Sequence, residues 1–190
     1  MADLRSKFYG FLSPGITEDI RIEFVNETEP VAYTTGYVKQ LEIVPFSKTP
    51  EIQITITCDE KFLISPSATY VEAEGAAPLS IYNLGSAPTG LYFEVLMESD
   101  MDTWSLSNDK GESFTINWPF EAFQKLIVNT SSKNRQVLLD DGVNEPVNVI
   151  SGFDVSSGWL YLYPGDNTLT PSVSSFEWGE ISYQAKYWGI

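Results

Sequence analysis

The residue types that most often carry out enzymatic chemistry are sparse in this sequence. Histidine is absent from all 190 residues, which removes the usual general base, the usual partner of a nucleophilic serine and the commonest zinc ligand. Phosphate-binding glycine loops and the G-x-S-x-G nucleophile motif are also missing. The single cysteine, Cys58, ends the alternating run IQITITC, and we expect a buried apolar residue there rather than a reactive thiol.

Carboxylates are the remaining candidates for catalysis, because glycosidases work with an acid and a nucleophile that are both Asp or Glu. The candidate pairs are Glu94 with Glu98, and Glu177 with Glu180. Glu94 and Glu98 alternate with apolar residues, so they lie on the polar face of a predicted strand, where a solvated carboxylate is the ordinary outcome. We therefore predict that the protein is not an enzyme, and we nominate no catalytic residue.

The segment DDGVNE contains the oxygen ligands that calcium prefers, in Asp140, Asp141, Asn144 and Glu145. It lacks the ligand spacing and the distal glutamate of an EF-hand loop. A polar turn in which Gly142 adopts a positive φ is therefore the favoured interpretation. We predict no metal site and no cofactor.

Aromatic residues make up 14% of the chain, and sugar-binding sandwiches present such rings to pyranose units. The candidates for a sugar platform are Trp104, Trp118, Trp159 and Trp178. In an alternating strand one face must cover the core, so each tryptophan is more readily explained as a core residue. Trp104 and Trp118 lie beside the loop segments ESDMD and PFE, so these two are the best candidates for exposed aromatic residues with a role in binding.

Charge restricts the partners of the protein. Its formal net charge is −15, which argues against nucleic acid and anionic membranes, since both attract positive charge. Residues 1–62 carry six basic and ten acidic side chains, whereas residues 63–190 carry five and sixteen. No segment is apolar over a length that spans a bilayer, and the charged N-terminal segment MADLRSKFYGFL is unlike a secretory signal. We predict neither nucleic-acid binding nor membrane insertion.

The apolar pattern predicts a mainly-β fold. Helical spacing is limited to residues 2–12 and to one turn within 119–126, whereas most other segments alternate with a period of two. Short alternating runs separated by turn signals are typical of an antiparallel sandwich or barrel. The segments KLIVNT and RQVLLDDG, joined by residues 131–134, predict a β-hairpin.

A domain boundary is predicted near residue 62, where CDEKFLISPSATY interrupts the alternation. Residues 1–62 then form a small β-rich domain with one short helix, and residues 63–190 form an antiparallel β-sandwich. The segment EWGE resembles the W-G segment of galectins, which favours a galectin-like or jelly-roll-like sandwich. Galectin sugar sites depend on a histidine that this chain lacks, so the resemblance does not extend to the sugar site.

The segment SSGWLYLYPGDNTLTPS, residues 156–172, combines an aromatic pattern with a turn signal. Trp159, Tyr161 and Tyr163 fall on one side of an extended chain, and Leu160 and Leu162 fall on the other. We predict a strand of the sandwich here, with a turn at residues 164–167.

The order of the motifs resembles that of a known family. The chain contains, in sequence, YVKQLEIVPFSKTPEIQITITCDEKFL, APLSIYNLGSAPTGLYFEVLM, FQKLIVNTSSKNRQVLLDDG, GWLYLYPGDNTLT and ISYQAKYWGI. Over roughly residues 36–190 this succession resembles the distal tail proteins of long-tailed, siphovirus-type bacteriophages. The first domain is shorter here than in many family members, and the chain ends in YWGI rather than in a run of basic residues.

The resemblance implies a structural role. Distal tail proteins form a ring, commonly of six subunits, between the tail tube and the tip, and their second domains project outward to hold fibres, receptor-binding proteins or sugars. The expected partners are thus further copies of this chain in a six-membered ring, other phage tail proteins, and glycans of the host surface. The expected location is the tail tip of a virion assembled in the cytoplasm of the bacterial host.

A closed ring needs two different complementary patches on each subunit, and the predicted edge strands of residues 16–58 are the candidates for them. Two alternatives remain open beside the tail ring. One is a non-catalytic glycan-binding β-sandwich. The other is a β-sandwich subunit of a different surface assembly, such as a pilus.

Overall fold

The computed structural model describes residues 20–26, 29–43, 52–73 and 75–188. Their contacts divide them into two units: residues up to Pro66 together with Trp188, and Ser67–Tyr187. Antiparallel β-sheets build both units, which confirms the prediction of a mainly-β fold. The helix predicted over residues 2–12 lies outside the described residues. Within the described ranges, no helix is long and apolar enough to cross a lipid bilayer.

The sheet of the first unit is organised around one long strand. Its strands are β1 (Ile20–Asn26), β2 (Glu29–Ile43), β3 (Ile52–Cys58) and β4 (Phe62–Ile64). Strand β1 pairs antiparallel with the first half of β2, and β3 pairs antiparallel with the second half. Strand β4 meets β2 where Tyr33 lies opposite Ile64.

One face of this sheet is apolar, because the strand registers bring the alternating apolar residues together. This apolar face comprises Ile20, Ile22, Phe24, Ala32, Thr34, Val38, Leu41, Ile54, Ile56 and Cys58. On this face Ala32, Thr34 and Val38 of the central strand β2 are buried, whereas Phe24 on β1 and Ile54 on β3 are 37% and 36% exposed. The expectation that Cys58 is buried is wrong: it ends β3 at the margin of the sheet and is exposed.

The second unit is a sandwich of two antiparallel sheets. The six-stranded sheet has the order β12 (Val147–Asn148), β11 (Gln136–Asp140), β10 (Lys125–Asn129), β7 (Leu91–Met97), β14 (Phe176–Tyr183) and β5 (Thr69–Tyr70). The four-stranded sheet has the order β6 (Leu79–Asn83), β13 (Gly165–Pro171), β8 (Met101–Asn108) and β9 (Ser113–Phe120). A 3₁₀ turn, Ile150–Gly152, follows β12, and β15 (Lys186–Trp188) is the last strand. The predicted hairpin is confirmed by the pairing of β10 with β11.

The core between the two sheets is aromatic. The inward positions of β7 alternate with half-buried outward ones, as the sequence pattern predicted. Phe93 of β7 contacts Trp104 of β8 and Phe114 of β9, with ring centroids 5.7 and 6.1 Å apart. Phe176 and Trp178 of β14 complete the cluster, and both meet Trp104 edge-on. Large buried aromatic rings of this kind dominate the packing energy of a small domain.

Trp104, one of the two candidates for an exposed aromatic residue, is instead a core residue. Its side chain is 0% exposed, because β8 turns residues 104 and 106 towards the six-stranded sheet. The loop beside it begins before Met101, so nearness to a loop in sequence did not bring the ring to the surface. The indole N–H of Trp104 finds no hydrogen-bond acceptor among the described residues, so aromatic packing alone holds the ring.

The segment 158–164, predicted as a strand, alternates as expected but forms only one β-bridge, between Leu162 and Thr89. Leu160 and Leu162 are buried, and the aromatic residues that alternate with them, Trp159, Tyr161 and Tyr163, are half-buried. Residues 165–167 of the predicted turn already belong to β13, so the chain turns at residues 163–165 rather than at 164–167. Several of its backbone groups bond to side chains instead of to a partner strand.

Two buried asparagines supply most of these side-chain bonds. Asn167 accepts a hydrogen bond from the N–H of Tyr163 at 2.8 Å and donates to the carbonyl oxygens of Tyr163 and Gly165 at 2.7 and 2.9 Å. Asn83 donates to the carbonyl oxygen of Leu162 at 3.0 Å and accepts from the N–H of Gly85 at 2.9 Å. The N-x-G and P-G-x-N motifs therefore have a structural cause, since buried backbone groups need partners.

We expect Asn167→Ala to lower the free energy of unfolding by about 2–4 kcal/mol, because it leaves buried backbone groups of the 163–165 turn without partners. Urea denaturation followed by tryptophan fluorescence measures this change. Asn117→Ala, at an exposed position of β9, is the matched control and should change stability by less than about 0.5 kcal/mol. Equal losses in the two variants would contradict the assignment.

We expect Trp104→Ala to lower the free energy of unfolding by about 3–5 kcal/mol, through lost burial and an aromatic-sized cavity. Trp118→Ala should cost less, because Trp118 is only half-buried. Denaturant titration of both variants checks the order of the two losses. If Trp104→Ala does not fold, Trp104→Phe provides the comparison, and a loss smaller than that of Trp118→Ala would refute a core role for Trp104.

Candidate assembly surfaces

The tryptophans considered for a sugar platform are largely covered by neighbouring side chains. Trp118 is half-buried and packs against the core from β9. Trp159 stacks on Phe153, with ring centroids 5.0 Å apart and planes inclined by 18°, and the guanidinium of Arg135 lies 5.3 Å from its ring. Trp178 packs in the aromatic core and donates its N–H to the carbonyl oxygen of Ala77 at 3.4 Å. The structure therefore brings no two of these rings together as an open platform.

The candidate carboxylate Glu94 lies on the outer face of the six-stranded sheet. One of its oxygens accepts a hydrogen bond from the hydroxyl of Tyr92 at 2.6 Å, and the other lies 3.3 Å from the ammonium of Lys125. Burial, the hydrogen bond to Glu94 and the charge of Glu180 together raise the pKa of Tyr92 above its usual range. Glu98 lies beyond the end of β7 and is exposed. Both oxygens of Glu94 are thus engaged in structural contacts.

The DDGVNE loop satisfies its own polar groups. One oxygen of Asp141 accepts hydrogen bonds from the N–H groups of Val143 and Asn144, and the other accepts one from the Asn144 side chain, at 2.8–2.9 Å. These bonds lower the pKa of Asp141 to about 2. Gly142 has a φ of 73°, as the turn interpretation requires. Across the described ranges, no three Cys, Asp or Glu side chains lie close enough together to hold a metal ion.

The first unit has exposed apolar surface at both margins of its apolar face. Phe24 on β1 is exposed, and so is Ile54 on β3. On the opposite face, Arg21 pairs with Glu23 at 2.9 Å and lies 4.0 Å from the ring centroid of Tyr33. Phe24 and Ile54 are side chains of a kind that ordinarily seeks burial.

The second unit is electrically polarised between its two ends. Three loops meet at one end: residues 98–100 between β7 and β8, residues 121–124 between β9 and β10, and residues 141–146 between β11 and β12. We call these loops, together with the adjoining Asp140, the acidic end. They contain Glu98, Asp100, Glu121, Asp141 and Glu145 and no basic residue. Lys125, at the start of β10, is the nearest basic residue in sequence, and it pairs with Glu94.

The acidic end also presents an exposed aromatic residue that the sequence patterns did not single out. Phe123 is 79% exposed and has a φ of 68°, the only positive value at a non-glycine position among the described residues. The segment PFEAFQKL was expected to form at most one helical turn. The sequence did not reveal this conformation, because the third position of a turn with positive φ ordinarily carries glycine or asparagine, and here it carries phenylalanine.

Comparison with known proteins places these surfaces in a context. A comparison with curated proteins gives no match. Among solved structures the chain is similar to the SPP1 Dit protein, which is presented as a paradigm of the hub adsorption apparatus in phages that infect Gram-positive bacteria. The TM-score is 0.69 at 15% identity, over 97% of this chain and 71% of that chain. A second similar structure, the phage P2 baseplate in its activated conformation with Ca, has a TM-score of 0.48 at 12% identity, over 98% and 73%.

A family model gives the assignment. The model of the siphovirus-type tail component, C-terminal domain, matches residues 84–187, which is more than half of the chain. The matched segment contains the loop anchored by Asn83, the β10–β11 hairpin and the turn anchored by Asn167. The resemblance to distal tail proteins is thereby confirmed, and the chain belongs to the siphovirus-type tail component family.

Proposed function

We propose that this chain is a subunit of the ring at the distal end of a siphovirus-type tail, where it joins the tail tube to tip or receptor-binding proteins without catalysing a reaction. The family match over residues 84–187 is the observation that carries the proposal. The likeness of fold to SPP1 Dit, which includes the first unit, supports a position at the hub. Assembly takes place in the cytoplasm of the bacterial host, and the mature chain stays in the virion.

The first unit supplies the contacts between ring subunits. A ring closes when each subunit offers two different patches, one to each neighbour. Strands β1 and β3 lie on opposite sides of β2. The exposed apolar side chains at these two margins therefore provide one patch for each neighbouring subunit. Strand β1 also offers backbone groups to a strand of the neighbouring copy.

Charge supports the same division of roles. Copies that each carry a net charge of −15 repel one another, so they must meet where the acid is least concentrated. Residues 1–62 hold ten of the 26 acidic residues but six of the 11 basic ones. The ring should accordingly assemble more completely as added salt screens the repulsion between subunits.

We expect the purified chain to form a closed oligomer of six copies at high concentration, visible as rings by negative-stain microscopy. Phe24→Glu should shift the mass measured by light scattering towards the monomer, because it places a charge in an apolar contact. A loss of about 2 kcal/mol at each contact raises its Kd roughly thirtyfold.

Tyr82→Glu, at an exposed aromatic residue of the second unit, is the matched control and should leave the mass unchanged. Circular dichroism of both variants verifies that they are folded. A strict monomer across the whole concentration and salt range, or rings that persist in Phe24→Glu, would overturn the proposed contact.

A further inference from the structure

The turn that carries Phe123 is held in an unfavourable conformation. Residues 121–124 form a tight turn in which the N–H of Gln124 donates to the carbonyl oxygen of Glu121 at 3.3 Å. Phe123 is the third residue of this turn, and its φ of 68° is one that bulky L-residues rarely adopt. Glycine or asparagine at that position would form the same turn with less strain.

Neighbouring groups fix this conformation from both sides. The N–H of Phe123 donates to the carbonyl oxygen of Met97 at 2.7 Å, and the N–H of Met97 donates to the carbonyl oxygen of Gln124 at 2.9 Å. The carboxylate of Asp100 accepts a hydrogen bond from the N–H of Ala122 at 2.9 Å. The turn is therefore anchored to the β7–β8 loop, and it presents the ring of Phe123 at a defined place.

The ring itself contributes little to folding. It is 79% exposed, whereas the aromatic residues of the preceding strand β9 are buried or half-buried in the sandwich. Val143, in the β11–β12 loop at the same end of the sheet, is also exposed. Strained, exposed aromatic residues on rigid turns are features of binding surfaces, since both the strain and the exposure oppose stability.

The charge around Phe123 indicates the chemistry of the partner. Five carboxylates lie in the loops of the acidic end, and Asp140 adjoins them. At the opposite end of the unit, the basic residues Lys110, Lys133, Arg135 and Lys186 outnumber Asp109, Glu112 and Asp166. A negative field that is strongest at one end attracts a basic surface to that end and repels another copy of this acidic chain.

We infer that the acidic end is a docking surface for a second tail protein, whose basic surface contains an apolar pocket that receives Phe123. The inference rests on the proposed function and adds the place of attachment and the chemistry of the partner. Phe123 is the anchor of this contact, and the carboxylates around it orient and accelerate the encounter.

Photo-crosslinking within assembled tails tests this directly. The chain is produced with Phe123→p-benzoylphenylalanine in virions, and tails are irradiated and analysed by mass spectrometry. Leu84→p-benzoylphenylalanine is the matched control, because Leu84 is an exposed apolar loop residue at the opposite end. We expect an adduct from position 123 with a different tail protein, at a segment rich in Lys or Arg.

Three variants then separate the contribution of the Phe123 ring from that of the surrounding carboxylates. Phe123→Asn should reduce co-purification of the crosslinked protein at least tenfold, without lowering the midpoint of thermal unfolding. Neutralising two exposed carboxylates, Glu98→Gln with Glu145→Gln, should weaken co-purification most at low salt, because screening already reduces their effect at high salt. Leu84→Asn should leave co-purification unchanged.

The outcomes distinguish the inference from the proposed function. Tails that lack this chain altogether would overturn both. Tails that contain the chain but give no adduct from position 123, an adduct only with another copy of the chain, or an adduct with an acidic segment would overturn the docking surface alone. A midpoint that falls sharply in Phe123→Asn would assign Phe123 a structural role instead.

Discussion

The aromatic contact between the two sheets of the second unit is the interaction on which its architecture depends. Phe93 lies at the centre and touches rings from β8, β9 and β14, so one residue links strands of both sheets. Aromatic pairs prefer edge-on or offset geometries, and most of the contacts here are of the edge-on kind. Because the inner faces are closed in this way, recognition is left to the loops, the outer faces and the strand edges.

Buried asparagines provide hydrogen-bond partners for backbone groups that are not paired within a sheet. Segment 158–164 makes one β-bridge only, so its buried backbone groups need other hydrogen-bond partners. Asn83 and Asn167 supply donors and acceptors at fixed positions, and each bonds to more than one backbone group. The loops that contact Asn83 and Asn167 are thus tied to the sandwich, and replacing either side chain leaves several backbone groups unsatisfied.

The distribution of charge and apolar surface differs between the two units. The first unit exposes apolar side chains at the margins of one sheet face, whereas the second encloses a large aromatic core and concentrates carboxylates at one end. A subunit of an assembly needs both a surface for its own copies and a surface for a different protein. Apolar margins suit the first task because copies share the same net charge, and a charged end suits the second because it selects a partner of opposite sign.

Much of the fold was predictable because strand periodicity and turn residues are local signals. The alternation of β7, the β10–β11 hairpin and the succession of family motifs could all be read without coordinates. Burial of particular residues could not be read in this way. Trp104 and Cys58 both occupy alternating runs, but one faces the opposite sheet and the other ends a strand at its margin.

The sequence by itself determined the mainly-β class, the family and the strong excess of negative charge, since composition and motif order are properties of the chain. Only the tertiary structure decided that segment 158–164 is held by side chains, because two of its partners, Asn83 and Asn108, are distant in sequence. The same holds for Phe123. Its positive φ results from hydrogen bonds to β7 and to the β7–β8 loop, and its place at an acidic end results from the folding together of three loops separated along the chain.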